Sequence, residues 1–129
     1  MTLITAILKT LKAVSELTVI VGAKIYSGIA PEGTAAPYIC IYEVESQRHH
    51  DLDVGYPVYQ FSCFSTSYEQ SKLMAQLIRY AFQRYKGTLG GVDGVPVIQG
   101  VYENEIYVYE PDTKLHHVAI SIKFLHRSQ

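Results

Sequence analysis

A chain of 129 residues and 14.5 kDa has the length of one domain built on one hydrophobic core. With 48% apolar and 18% charged residues, it falls outside the polar, charge-rich class of disordered chains. The 11 basic and 12 acidic side chains leave a formal charge of −1, which supplies no electrostatic footprint for gripping a phosphate backbone or an anionic membrane.

The opening Met1-Thr2-Leu3-Ile4 lacks the charged region and cleavage site of a signal peptide, and no stretch approaches the roughly 20 apolar residues that span a bilayer. The chain is therefore expected to start in the cytoplasm. Thr2 is a suitable N-cap, and Leu3, Ile4, Ile7, Leu8, Leu11 and Val14 recur at helical spacing, with Thr5, Lys9, Thr10 and Lys12 on the other side. This predicts an amphipathic first helix. Ser15 is read as the cap of a further short turn through Glu16 to Val21, ended by Gly22. A short extended piece, Lys24 to Tyr26, follows. Ser27 to Pro37, rich in Gly, Pro, Thr and Ala, reads as a surface loop.

Tyr38 to Val44 puts Ile39 and Ile41 on one face and Cys40 and Tyr42 on the other, the pattern of an interior strand covered on both sides. Ser46 to Gly55 is polar and reads as a solvated, mobile connection, before Val58 to Phe64 resumes β-rich composition. Thr66 with Glu69, or Ser67 with Gln70, forms a capping box that starts a long second helix. Its apolar stripe is Leu73, Met74, Leu77, Ile78, Ala81, Phe82 and Tyr85, its polar face Lys72, Gln76, Arg79 and Gln83, and its expected end Lys86-Gly87. The glycines from Gly90 to Gly94 make a turn. A strand is predicted from Val97 to Tyr109, broken or bulged at Glu103 and Asn104, then a turn at Glu110 to Lys114. The last strand, Leu115 to Leu125, carries Val118, Ile120, Ile122 and Phe124 toward the core. The order helix, strands, helix, strands implies one α+β domain, an antiparallel or mixed β-sheet packed against two α-helices.

Candidate chemistry is sparse. Cys40 and Cys63 belong to no CxxC pair and sit among apolar neighbours, so they read as reduced, buried thiols rather than nucleophiles. His49, His50, Asp51 and Asp53 are metal-ligand types, but adjacent residues in one loop seldom converge on an ion. His116 and His117 point to opposite faces of a strand. The glycines from Gly87 to Gly94 follow a helix and lack both the GxGxxG spacing and a Walker lysine. Lys72, Arg79 and Lys86 read as a solvated helix face. No catalytic residue, metal or cofactor is assigned. The chain has 11 tyrosines and no tryptophan, with Tyr102, Tyr107 and Tyr109 close together and Tyr56 and Tyr59 around the third strand. Tyrosine suits protein interfaces, and it is equally a good strand former. Base-stacking tyrosines would need a positive groove that the composition does not show.

Four stretches in order resemble a family of small phage tail-completion, or tail-terminator, proteins. They are the first helix with Leu17 to Gly22 and Lys24-Ile25-Tyr26; Ala36-Pro37-Tyr38-Ile39-Cys40-Ile41-Tyr42 with Glu43 to Ser46; Tyr59 to Phe64 with the helix start at Ser65 to Lys72; and Tyr109 to Phe124. The resemblance covers nearly all of residues 1–129, while the His49 to Asp53 and Gly87 to Pro96 loops have no clear counterpart. It implies a non-enzymatic virion protein, a six-fold ring that caps the tail tube and offers a surface to the head connector. Implied partners are other copies of itself, the tail tube protein and the head–tail connector protein, with no membrane and no specific nucleic acid. The virion tail, and the host cytoplasm during assembly, is its expected place. Six such chains would carry about −6, which suits a ring that DNA must cross without sticking. Tyr102, Glu105, Tyr107 and Tyr109 are the expected subunit interface, and Arg48, His49, His50, Asp51 and Asp53 the expected tube-contacting loop. A head-closure or neck protein of the same region, and a small single-stranded nucleic-acid-binding domain, stand as alternatives.

Overall fold

The Thr2 hydroxyl accepts a hydrogen bond from the Thr5 amide at 3.3 Å and so starts α1 (Leu3–Lys12), which buries Ala6, Ile7 and Leu11. The computed structural model describes residues 1–48 and 54–127. Beyond α1 the chain does not simply turn. Val14, with extended backbone, opens a separate helix α2 (Ser15–Val21), so Ser15 is its first residue rather than its cap. Gly22, at φ 62°, ends α2 as glycine can. Three helices therefore replace the two expected from the sequence.

The strands are β1 (Ile25–Ser27), β2 (Tyr38–Glu45), β3 (Val54–Gly55), β4 (Val58–Ser65), β5 (Gly87–Leu89), β6 (Val95–Glu110) and β7 (Leu115–Arg127). They form one mixed sheet in the order β1-β2-β4-β7-β6-β5, with β3 paired to the end of β7. Among the described residues only β1 and β2 run parallel; the other pairs are antiparallel. All three helices lie on one side of it. The long helix α3 (Tyr68–Phe82) packs on β4, β7 and β6, while α1 touches both β1 and β5, so the sheet curls until its two outermost strands reach the same helix.

Between sheet and helices lies the core. Ile39 and Ile41 of β2, Phe61 and Cys63 of β4, and Val118, Ile120, Ile122 and Phe124 of β7 face Met74, Ile78 and Phe82 of α3 and Ile7 and Leu11 of α1. Phe82 stacks on Phe61 at 5.5 Å and meets Phe124 edge-on at 5.2 Å, joining helix to sheet.

At the start of α3, Ser67 is the cap and accepts from the Gln70 amide. The reciprocal half of the capping box is replaced by a relay: the Ser67 amide donates to the Ser65 hydroxyl, which donates to the Gln70 side chain at 2.5 Å. The helix ends at Phe82 rather than at Lys86-Gly87. Arg84 takes a left-handed φ of 60°, and the Arg84 amide donates to the Gly100 carbonyl while the Gly100 amide donates to the Tyr85 carbonyl. Tertiary bonding to β6 thus captures the backbone that helical continuation would have used. Gly87 to Leu89, expected as loop, forms the short edge strand β5, whose Leu89 is fully buried.

Candidate interaction surface

Strand β6 changes register against β7 between Tyr102 and Asn104, leaving Glu103 as the extra residue of a bulge. The Glu103 carboxylate pairs with Lys123 at 3.1 Å. This bulge sets the chemistry of the strand. Strict alternation would put Tyr102 opposite in sense to Glu105, Tyr107 and Tyr109; the added residue brings all four to the helix-bearing side, across from Ile122, Ile120, Val118 and His116.

Each of the four then meets a specific neighbour. The Arg79 guanidinium lies 4.1 Å from the centroid of the Tyr102 ring. Glu105 forms a charge-assisted hydrogen bond with Lys72, which raises the Lys72 pKa. Tyr107 stands edge-on to Tyr68 at 4.8 Å and shares a 2.7 Å hydrogen bond with His116 Nδ1, while Tyr109 lies 5.0 Å from the His116 ring. Tyr107 and Tyr109 remain 45% and 44% exposed, so the cluster is ordered by its own contacts yet open to a partner.

The outer flank of α3, which reads in sequence as merely solvated, is part of the same surface. Leu73 and Tyr80 project from it, 46% and 68% exposed, and with Tyr102 and Glu105 they border a groove of about 560 Å³. The opposite, helix-free side of β6 adds two more apolar residues, Ile106 and Val108, also about half exposed. Sequence inspection puts Leu73 on the buried stripe of the long helix and singles out none of Tyr80, Ile106 and Val108, because the side of α3 and of β6 that faces the core is set by packing on distant strands.

The helix-free face carries a ring ladder across three strands. Tyr38 stacks on Phe64 at 4.9 Å and Phe64 on His117 at 4.3 Å. His117 Nε2 is buried without a hydrogen-bond partner, and desolvation lowers the His117 pKa, partly offset by Glu110 at 3.7 Å from Nδ1. The two thiols point to opposite faces of the sheet. Burial pushes both up, Cys63 in the core most strongly, so neither is an activated nucleophile.

Of the expected tube-contacting loop, only Arg48 is described. It is exposed and bridges to Gly55, and the Tyr56 amide donates to the Gln47 carbonyl at 2.8 Å, so the two ends of the loop are tied together. His49, His50, Asp51 and Asp53 lie outside the described residues. Among the described residues no helix is long and apolar enough to cross a membrane.

Residues 5–127 match the family described as tail completion protein gp17. No curated protein sequence matches. In three dimensions the chain is similar to one in the virion of the native gene transfer agent (GTA) particle, with a TM-score of 0.77, 12% identity, and coverage of 95% of this chain and 92% of that one. At that identity the likeness shows a shared fold.

Proposed function

The chain belongs to the tail completion protein gp17 family, and on that premise we propose that it closes the head-proximal end of the tail tube as a ring of identical copies and presents that ring to the head connector. Its role in tail assembly is structural. The observation that supports the finer reading is the family match, which extends across residues 5–127.

A ring of identical subunits needs a heterologous contact, with two different surfaces on each copy. The surface around Tyr102, Glu105, Tyr107 and Tyr109 is our candidate for one of them, because it exposes aromatic area on a rigid strand, where desolvation stabilises an interface most. Arg48 with His49, His50, Asp51 and Asp53 is our candidate contact with the tube. Immunogold labelling of intact particles with antibody to this chain tests the placement. The reading expects label at the head-proximal end of the tail; label along the tube, at its distal tip or on detached heads would refute it.

A further inference from the structure

The two edges of the sheet are stepped in opposite ways. On one side, β5 pairs with β6 only at Val95 to Val97, and among the described residues the main-chain bonds of Gly100 to Arg84 and Tyr85 are the last on that side. The stretch from Val101 to Glu110 is recessed behind β5, with a row of outward amides and carbonyls that bond to no other strand among the described residues. On the other side, β1 covers β2 only at Ile39 to Ile41, so that β1 protrudes and Tyr42 to Glu45 is recessed.

Register connects the two steps. Ile25 pairs with Ile39, Ile39 with Cys63, Cys63 with Val118 and Val118 with Tyr107, so Ile25 and Tyr107 lie on one row across the sheet. By the same route Tyr26 shares a row with Ile106, and Ser27 with Glu105. The protruding strand of one edge therefore stands level with the recess of the other. The sense of the strands also agrees. Successive antiparallel pairings make β1 run opposite to β6, so a second copy placed side by side, helices on the same side, would bring its β1 antiparallel to β6.

We infer that β6 from Asn104 to Glu110 receives β1 of the neighbouring copy, which continues one sheet from subunit to subunit. This inference rests on the ring reading and specifies its contact. Main-chain hydrogen bonds between the strands supply the adhesion, and side chains supply the register. On the helix-free face Tyr26 comes opposite the half-exposed Ile106, while on the other face the exposed Ser27 comes opposite Glu105. The helix α1 that packs on β1 travels with it into the groove beside Leu73 and Tyr80. The composition of the recess points the same way. Asn104-Glu105-Ile106-Tyr107-Val108-Tyr109-Glu110 contains neither proline nor lysine, two of the residues that protect a solvent-facing edge, and an edge left open in this way is a template for pairing with another strand.

The test is oxidative cross-linking in assembled tails carrying the full chain with Tyr26→Cys and Ile106→Cys together. The native thiols, both buried, give no background. A ladder of covalent multimers is expected on a non-reducing gel, with neither single variant cross-linking to itself. In parallel, the amides of 104–110 in the unaltered chain are expected to exchange at least about tenfold more slowly in tails than in the free protein. Tails that contain the chain but give no ladder and no slowing would overturn the shared sheet while leaving the tail-end reading intact. A single Ile106→Cys variant that cross-links to a different tail protein would also overturn it. Tails that lack the chain altogether would remove the tail-end reading and this contact with it.

Discussion

His117 is the residue whose protonation folding opposes most clearly. Its folded pKa lies below the ordinary value near 6.5 because burial disfavours the imidazolium, so between the folded and unfolded pKa values the unfolded chain binds more protons. Stability from this residue is thus fully present above the unfolded value and is lost as pH falls through that window. His117→Phe keeps the stack on Phe64, removes the unpartnered Nε2 and should stabilise the protein by about 1 kcal/mol at pH 6. The measurement is urea unfolding at pH 5, 6 and 7.5, in which the variant should lose less stability on acidification than the parent. Gly100 is a steric requirement of a different kind. A Cβ there would stand 2.1 Å from the Phe82 carbonyl oxygen, a backbone atom held by the end of α3. Gly100→Ala is expected to cost about 2–3 kcal/mol, visible as a lower urea midpoint at unchanged slope.

At the level of elements, the hairpin of β6 and β7 and the flank of α3 form one surface, and its contacts within the chain should contribute little to the stability of the isolated protein. Lys72 and Glu105 are partly exposed, so Lys72→Ala should cost less than about 1 kcal/mol. Replacing both Tyr107 and Tyr109 by serine should leave the protein folded by circular dichroism yet prevent tail completion; unimpaired assembly would exclude this surface from the contact. Much of this architecture is visible in the sequence. The alternation of β2 and β7, the bulge at Glu103 and the helix start at Ser67 are local signals, and local physics decides them. The misread elements depend on distant partners. The end of α3 is decided by bonds to Gly100, β5 by pairing with Val95 to Val97, and α2 by packing of Leu17 and Val21 into the core. The tyrosines proposed for the interface are identifiable in the sequence as a group, but their grouping on one face with Tyr68, Lys72 and Arg79 is a consequence of the bulge. The open groove and the step between the edges come from pairing between distant strands and leave no trace in periodicity.

For the whole molecule, an α+β domain with a charge near zero, no activated thiol and a long free sheet edge suits a component whose activity is to fit between others. On the proposed reading the chain acts by geometry, and its copies meet each other, the tube and the connector in one arrangement. The most direct test of the proposed role is electron microscopy of lysates from the parent phage with this gene disrupted, counting complete virions, free heads and tail lengths. Filled heads beside unjoined tails of irregular length are the predicted result. Normal numbers of complete virions with tails of uniform length would contradict it.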